Sequence, residues 1–373
     1  MRIGVPKEIK THEYRVGLTS ASARELIAHG HEVFIQTGAG DGAGLNDAEY
    51  AAIGAEILPS AKEVFAAADM IVKVKEPQPA ECALLKKDQL LFTYLHLAAD
   101  PTQTRGLMQS GCTAIAYETV VDAQGRLPLL TPMSEVAGRM APMAGAYYLQ
   151  KIHGGNGVLL SGVPGVAPGK VVILGGGVVG SNAATVAAGM GGDVTVIDRS
   201  PAKLAELDHQ FGGRVRTLHA NIGTIEEQVL AADLVIGAVL IPGAAAPKMV
   251  TRDMVSGMKK GAVIVDVAID QGGCVETARP TTHDNPVYII DGVIHYCVAN
   301  MPGAVARTST FALNNATLPY VLALADKGWQ KALMEDPLFR QGLNITNGKI
   351  TNAAVAAALK ENYTPIDTVL KAA

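Results

Sequence analysis

Apolar and polar positions in the first third of the chain follow two alternating patterns. Short apolar runs predict strands at five places, namely Arg2–Val5, Glu32–Ile35, Met70–Val74, Leu90–Leu95 and Thr113–Ala116. Between these runs, apolar residues recur at helical spacing in Ser20–His29, Ala61–Ala67 and Thr102–Ser110. Strands that alternate with helices in this way predict βαβ units and a largely parallel sheet.

A different pattern begins at Thr131. This residue can cap a helix that has Pro132 in its first turn, and Glu135 lies favourably near the positive end of the helix dipole. We expect the helix to continue to about Ile152, with a kink at Pro142. The glycine-rich stretch HGGNGVLLSGVPGVAPGK then leads into the next strand.

A second series of strands follows the glycine-rich stretch. The apolar runs that predict them are Val171–Leu174, Val194–Ile197, Leu234–Gly237, Val263–Val267 and Val293–Val298. After Pro302 the pattern becomes helical through Phe311–Leu324. We expect the remaining tail, including Asn352–Leu359, to be helical as well.

The segment VVILGGGVVGSNAATVAAGMGGDVTVID joins the first two strands of this second series. Its Gly175 permits a tight turn, Gly177 lets the backbone approach a pyrophosphate, and Gly180 allows the helix to pack closely on the strand. The N-terminus of that helix offers unpaired N–H groups to the phosphates. Asp198 ends the second strand and favours NAD over NADP, because a carboxylate binds the ribose hydroxyls, although Arg199 beside it could accommodate a 2′-phosphate.

These patterns predict two doubly wound α/β domains. A Rossmann NAD-binding domain of residues 131–305 interrupts a discontinuous substrate domain, which is built from residues 1–130 and from helices in residues 306–373. A chain of 373 residues is long enough for two domains of ordinary size.

Composition narrows the possible functions. Nearly half of the residues are apolar (49%) and 18% are charged, which is typical of a packed globular protein and not of a disordered one. The net charge of −4 gives no support to nucleic-acid binding. The four cysteines form no CxxC pair, so we expect neither a disulfide framework nor a metal site, and we expect a reducing, cytoplasmic location. Glycines interrupt the longest apolar stretch, so we expect no membrane span.

Several chemically active side chains follow the predicted strands. Ligands of open α/β sheets collect beyond the carboxyl ends of the strands, and that rule selects Arg15, Lys75, His96, Asp270, Asn300 and Met301. Each also has an ordinary explanation. A single lysine or arginine on a loop is usually solvated surface, a single histidine is usually structural, and Asp270 could cap the turn that follows it. Their grouping at strand ends favours a functional site.

Longer motifs resemble a known family. The segments MRIGVPKEIKTHEYRVGLT, IVKVKEP, YLHLAAD, TPMSEVAGRMA, VVILGGGVVG, VIVDVAIDQGGC and VANMPGAVARTST resemble the alanine dehydrogenase family, which includes the NAD-binding component of transhydrogenase. The resemblance covers almost the whole chain in order. It implies NAD-dependent, reversible oxidative deamination of L-alanine to pyruvate and ammonia by a homohexamer.

The resemblance also implies roles for individual residues. Arg15 and Lys75 would bind the substrate, while His96 and Asp270 would act as acid/base groups. Asn300 and Met301 would lie against substrate and nicotinamide. Ser134, Asp198 and the glycine turn would bind NAD, and the further candidates for NAD contacts are Val178, Val179, Arg199, Val239, Leu240 and Val267.

The expected chemistry constrains the two acid/base groups differently. Attack of water on the imine needs a base whose pKa lies near the working pH. A histidine such as His96 meets that condition directly, whereas Asp270 would need burial to raise its pKa. Two alternative functions share the sequence pattern. One is the NAD-binding component of a transhydrogenase, and the other is a related amino-acid dehydrogenase, such as a saccharopine-type enzyme.

Overall fold

The computed structural model describes residues 1–239 and 246–371, and it divides into two compact units. Unit 1 combines Met1–Met133 with the segment from Gly303 onward, and unit 2 is Ser134–Pro302. The chain therefore passes from one unit to the other after Met133 and again after Pro302.

Most strands begin and end within a few residues of their predicted positions. In chain order they are β1 (Arg2–Val5), β2 (Glu32–Gln36), β3 (Glu56–Leu58), β4 (Met70–Val72), β5 (Leu90–Thr93), β6 (Thr113–Ala116), β7 (Lys170–Leu174), β8 (Asp193–Asp198), β9 (Val215–His219), β10 (Leu234–Gly237), β11 (Val263–Asp266), β12 (Val287–Ile290), β13 (Val293–Tyr296), β14 (Leu343–Thr346) and β15 (Lys349–Ile350).

The α-helices connect these strands and cover the sheets. They are α1 (Ser20–Ala28), α2 (Asp47–Ala51), α3 (Ala61–Ala67), α4 (Pro79–Cys82), α5 (Pro101–Ser110), α6 (Thr131–Tyr148), α7 (Val178–Gly189), α8 (Pro201–Phe211), α9 (Ile222–Ala231), α10 (Arg252–Gly257), α11 (Ala306–Lys327), α12 (Trp329–Glu335), α13 (Ala353–Leu359) and α14 (Ile366–Lys371). The predicted helix from Thr131 ends at Tyr148, before the expected Ile152.

Both sheets are doubly wound and mostly parallel. In unit 1 the strand order is β15-β14-β6-β5-β4-β1-β2-β3, and in unit 2 it is β12-β13-β11-β10-β7-β8-β9. The antiparallel strands lie at one edge of each sheet, where β14 and β15 extend the first and β12 extends the second. The expected fold class is confirmed, since each sheet contains the 3-2-1-4-5-6 order of a dinucleotide-binding fold.

The C-terminal tail is not entirely helical, so that expectation is wrong. It contains the hairpin β14–β15, whose turn is Asn347-Gly348 with φ values of 49° and 72°. Asn-Gly is the dipeptide that two-residue hairpin turns favour, because both positions need a positive φ.

The core of unit 2 lies on both faces of its sheet. Along β7, Val171 and Ile173 pack into one hydrophobic cluster, while Val172 and Leu174 pack into the other. Successive strand residues point to opposite faces, so helices on both sides exclude water from the sheet. This packing fixes the strand ends that carry the candidate site residues. No helix within the described residues is long and apolar enough to cross a membrane.

Candidate functional site

A tight glycine turn joins β7 to α7 at the point where the strand order of unit 2 reverses. Gly175 has a φ of 99°, and a Cβ there would lie 2.8 Å from the carbonyl oxygen of Ala238, at the end of β10. A Cβ on Gly180 would lie 1.8 Å from the carbonyl oxygen of Gly175. Both positions therefore require glycine, the first for conformation and the second for close packing of helix on turn.

Gly177 differs from these two glycines because its surroundings are open. It is exposed, it precedes the first helical residue of α7, and a Cβ there would meet nothing within 4 Å. Val178 and Val179 form the first turn of that helix, where backbone N–H groups have no helical acceptor. Open space beside a helix N-terminus is the arrangement that accepts a pyrophosphate.

Asp198 ends β8 next to the same turn. Its carboxylate accepts hydrogen bonds from the N–H of Gly176 at 2.7 Å and from the N–H of Ser200 at 2.8 Å. The side chain is half-buried, whereas that of Arg199 is exposed. The glycine turn and the acidic residue are thus directly connected, as binding of an adenosine ribose and its phosphates by one site would need.

The remaining predicted cofactor contacts lie around the strand ends of unit 2. Val239 follows β10 and Val267 follows β11, and both are half-buried, as are Ser134 and Asn300. The backbone carbonyl of Asn300 accepts a hydrogen bond from His283 at 2.9 Å, and Met301 is buried. Leu240, also predicted to contact NAD, lies outside the described residues.

Arg15 is a buried cation after β1, with 2% of its surface exposed. Its Nε and Nη2 donate to the two carboxylate oxygens of Glu13 at 2.6 and 2.5 Å, and its Nη1 lies 2.9 Å from the sulfur of Met133. Glu13 therefore occupies the Nε–Nη2 edge of the guanidinium.

Lys75 follows β4, and its backbone forms hydrogen bonds with two nearby side chains. Its backbone N–H donates to Glu8 at 3.3 Å, and its carbonyl accepts from the hydroxyl of Thr93 at 3.0 Å. Burial lowers the pKa of Lys75, and repulsion from the nearby Arg15 lowers this pKa further. Arg15 and Lys75 thus form a coupled pair of cations at neighbouring strand ends.

His96 follows β5, the strand next to β4, and is exposed. Its ring stacks on that of Tyr94, with 5.9 Å between the centroids and 9° between the planes. The carboxyl edge of one sheet therefore carries Arg15, Lys75 and His96 after three neighbouring strands. The sequence analysis predicts this grouping, and the strand order places it at the reversal between β1 and β4.

Asp270 lies in a short 3₁₀ helix, Val267–Gln271, directly after β11. A raised pKa at Asp270 would need burial, and this residue is exposed in the structure. The buried carboxylate nearby belongs to Asp266, the last residue of β11, which accepts hydrogen bonds from the N–H groups of Ala268, Cys274 and Val275 at 3.1, 2.9 and 3.2 Å. Burial raises the pKa of Asp266 to about 6.

A cavity of about 380 Å³ opens beside Arg15 in unit 1. Residues of both the β1 and β2 loops line it, including Lys7, Glu13, Arg15 and Asp41. Within the described residues, no group of three His, Cys, Asp or Glu side chains could hold a metal ion.

Comparison with known proteins shows to which family this chain belongs. The family described as "Alanine dehydrogenase/PNT" matches in two parts, with its N-terminal domain over residues 4–137 and its C-terminal domain over residues 141–353. The chain belongs to the alanine dehydrogenase family. The alanine dehydrogenase of Halomonas elongata is 59% identical over 97% of this chain and 98% of its own length. That of Bacillus subtilis is 56% identical over 100% of this chain and 98% of its own length.

Solved structures agree with this assignment. An L-alanine dehydrogenase superposes with a TM-score of 0.94 and 55% identity, covering 96% of this chain and 99% of the other. A transhydrogenase from Sinorhizobium meliloti superposes with a TM-score of 0.81 at 24% identity, covering 95% of this chain and 100% of the other. At that identity the likeness shows a shared fold, so the transhydrogenase is a more distant relative than the alanine dehydrogenases.

Several residues around the candidate site of this family member were missed by the sequence analysis. Glu8, Glu13, Glu118 and Asp266 accept hydrogen bonds from the backbone or side chain of a candidate residue or its neighbours. The motifs that contain Glu8 and Glu13 are visible in the sequence, but their partners depend on the fold. Glu13 and Asp266 each have a partner only two residues away, Arg15 and Ala268, whereas the partners of Glu8 and Glu118 are distant in sequence.

Proposed function

We propose that this chain catalyses the reversible, NAD-dependent oxidative deamination of L-alanine to pyruvate and ammonia. The observation that carries the proposal is the placement of Arg15, Lys75 and His96 after three neighbouring strands of one sheet, in a chain that matches alanine dehydrogenases over its whole length. Two cations and an acid/base residue at one sheet edge suit a small substrate that carries both a carboxylate and an amine.

NAD is the cofactor that unit 2 fits. The open approach at Gly177 and the N-terminus of α7 would hold the pyrophosphate, and Asp198 would accept hydrogen bonds from the ribose hydroxyls. A carboxylate at that position disfavours a 2′-phosphate, so we propose NAD and not NADP. When bound, NAD supplies the acceptor for the hydride from the substrate Cα. Val239, Val267, Ser134, Asn300 and Met301 are proposed to complete this site, with Leu240 beside them.

Arg15 and Lys75 are proposed to orient the substrate. The guanidinium of Arg15 is fixed by Glu13, so it offers the substrate carboxylate a preset direction of hydrogen bonding. Lys75 has a lowered pKa because it is buried near a second cation. An anionic carboxylate between the two cations reduces their repulsion, which favours binding of an amino acid at this position.

His96 is proposed to transfer the protons of the reaction. The amine of alanine must lose a proton before hydride leaves Cα, and the product of that step is the protonated imine. Water then adds to the imine carbon and loses one proton, a proton passes to nitrogen, and departure of ammonia with loss of the remaining hydroxyl proton leaves pyruvate. A histidine at the end of β5 is suited to these transfers. We propose Asp270 as the second acid/base group.

We also propose that the chain works as a homohexamer in the cytoplasm. Exposed apolar side chains on unit 2 support self-association, and they are Met143, Tyr147, Ile152, Leu159, Val163 and Val166. The free, buried cysteines support a reducing compartment, and they are Cys82, Cys112, Cys274 and Cys297. Light scattering at several protein concentrations tests the assembly, and a monomer at every concentration would contradict it.

A substrate panel tests the proposed function against its alternatives. Purified protein is mixed with NAD and, in turn, L-alanine, glycine, L-lysine and saccharopine, and the absorbance of NADH is followed. We expect rapid NADH formation with L-alanine. Activity on saccharopine alone would assign the larger-substrate dehydrogenase, and measurable NAD binding without turnover of any amino acid would favour the transhydrogenase-like binding component.

A further inference from the structure

His96 has an unusual backbone conformation. Its φ and ψ are 51° and 37°, in the left-handed region that residues other than glycine seldom adopt. Such a conformation is unfavourable for a residue with a side chain and persists only where surrounding contacts hold it. His96 also caps the short 3₁₀ helix Leu97–Ala99, so its backbone sets the direction of the chain after β5.

Glu118 supplies the contacts that hold this conformation. Its carboxylate accepts the N–H of His96 at 2.6 Å and the N–H of Leu95 at 3.1 Å, both on Oε1. Glu118 lies in the 3₁₀ turn Tyr117–Thr119, directly after β6, the neighbour of β5 in the sheet. The carboxylate therefore joins the ends of two adjacent strands with charge-assisted hydrogen bonds.

The backbone conformation of His96 also sets the orientation of its side chain. Its ring is nearly parallel to that of Tyr94, whose buried hydroxyl donates to the carbonyl of Leu129 at 2.5 Å. A change in the backbone at His96 would turn the imidazole away from this stacked position. The carboxylate of Glu118 thus determines where the imidazole nitrogens can lie.

We propose that Glu118 is a positioning residue for His96. It holds the left-handed turn that presents the imidazole, and it does not itself touch the substrate. This inference rests on the proposed role of His96 in the reaction, so the test must separate the two claims.

The first measurement compares kcat and KM of Glu118→Ala and Glu118→Gln. The alanine variant loses both N–H acceptors, and we expect kcat to fall by about 10- to 100-fold with KM for alanine changed by less than about threefold, because misplacement of a catalytic group affects the rate of the chemical step. Glutamine keeps an oxygen at the position that accepts both N–H groups, so Glu118→Gln should recover most of kcat. Glu361→Ala, an exposed glutamate of the same unit, is the matched control.

The decisive measurement repeats Glu118→Ala in the His96→Ala background. We expect His96→Ala alone to lower kcat by roughly 10²–10⁴-fold, and the second substitution to add no further loss, since Glu118 acts only through His96. An equal loss in both backgrounds would overturn the inference and leave the role of His96 intact. Unchanged kcat in His96→Ala would instead remove His96 from the proposed mechanism, and the inference with it.

Folding of these variants is checked independently by circular dichroism and by the midpoint of urea denaturation. If Glu118→Ala does not fold, Glu118→Asp takes its place, because the shorter side chain withdraws the carboxylate from both N–H groups. A loss of kcat in Glu118→Asp that disappears in the His96→Ala background supports the inference, and a loss that is the same in both backgrounds contradicts it.

Discussion

Two buried cations of unit 1, Arg15 and Lys73, are paired with buried carboxylates. Glu13 pairs with Arg15 through two hydrogen bonds, and both side chains are almost completely buried. Lys73 is fully buried between Glu8 and Glu81, with Nζ–O distances of 3.0 and 2.7 Å. Removing one partner of such a pair leaves an uncompensated charge, which is strongly destabilising. These pairs therefore fix the backbone that carries Arg15 and Lys75, the two residues proposed to bind the substrate.

The proposed contact of Asp198 with the ribose of NAD can be tested by replacing this one side chain. Replacing Asp198 with Ala removes the acceptor proposed for the ribose hydroxyls, so we expect the Kd for NAD to rise by about tenfold or more, in line with loss of a charged hydrogen-bond partner. Binding of alanine should change much less. Calorimetric titration measures the Kd, and Asp208→Asn, at an exposed position in the following helix α8, is the control. Equal NAD affinity in wild type and Asp198→Ala would remove Asp198 from the cofactor site.

The buried carboxyl group of Asp266 should make the stability of the folded protein depend on pH. Its pKa in the folded protein is raised to about 6 by burial, above the value of ~4 expected in the unfolded chain. The folded state therefore binds the proton more tightly, and this contribution to stability is complete below pH ~4 and is lost as the pH rises through about 6. Raising the pH from about 5 to about 7.5 should lower the unfolding free energy of wild type, relative to Asp266→Asn, by about 1 kcal/mol.

Urea denaturation of both proteins at the two pH values measures this difference. Comparison with Asp266→Asn cancels the contributions of the other carboxylates, and Asp208→Asn shows how large a shift an exposed aspartate gives. A difference between wild type and Asp266→Asn that is the same at both pH values would show that Asp266 does not titrate in this range.

Among the structural elements, the turn between β7 and α7 contains glycines that are needed for different reasons. A Cβ on Gly180 would overlap the carbonyl oxygen of Gly175, whereas a Cβ on Gly177 would meet nothing. We expect Gly180→Ala to lower the unfolding free energy by about 1–3 kcal/mol, because the turn must shift. Gly177→Ala should change stability by less than about 0.5 kcal/mol and still weaken NAD binding, since the methyl group occupies the approach of the pyrophosphate.

Gly189→Ala is the matched control for this pair. It lies at the other end of α7, and its Cβ would also meet nothing within 4 Å. We expect it to stabilise the helix by about 0.5–1 kcal/mol and to leave NAD affinity unchanged. Denaturation and NAD titration of the three variants check the assignment. Equal NAD affinity in Gly177→Ala and Gly189→Ala would contradict the proposed position of the pyrophosphate.

The sequence predicts the buried inner strands better than the strands at the sheet edges. Strands β1, β6 and β10 have the predicted bounds, because each is a buried apolar run flanked by turns. The strands β3 and β9 were missed because they are partly exposed and their apolar patterns are weak. The hairpin β14–β15 was missed although Asn347-Gly348 signals it, since the helical pattern before it was extended to the tail.

The residues of the candidate site were likewise predicted only in part from the sequence. The rule that ligands collect at the carboxyl ends of strands identifies Arg15, Lys75 and His96 from the sequence, because strand ends follow directly from apolar runs. It does not identify Glu118, which is 22 residues from His96 in the chain and meets it only because β5 and β6 are neighbours. Nor does it identify Asp266, whose buried carboxylate binds the N–H groups of the chain that follows β11.

At the level of the whole molecule, the chain uses one strand order twice. The order β3-β2-β1-β4-β5-β6 in unit 1 matches the order β9-β8-β7-β10-β11-β13 in unit 2. In each sheet the candidate residues follow the strands at the reversal of that order, with cations in unit 1 and the glycine turn in unit 2. The proposed division of labour follows, in which unit 1 binds the amino acid and unit 2 binds the dinucleotide.

The proposed function depends on transfer of the Cα hydrogen of alanine to NAD, and isotope labelling follows that hydrogen. The protein is incubated with NAD and L-alanine that carries deuterium at Cα, and the reduced cofactor and the keto acid are analysed by mass spectrometry. We expect one deuterium in each NADH formed, with pyruvate and ammonia in equal amounts. NADH without deuterium, or no NADH despite bound NAD, would contradict it.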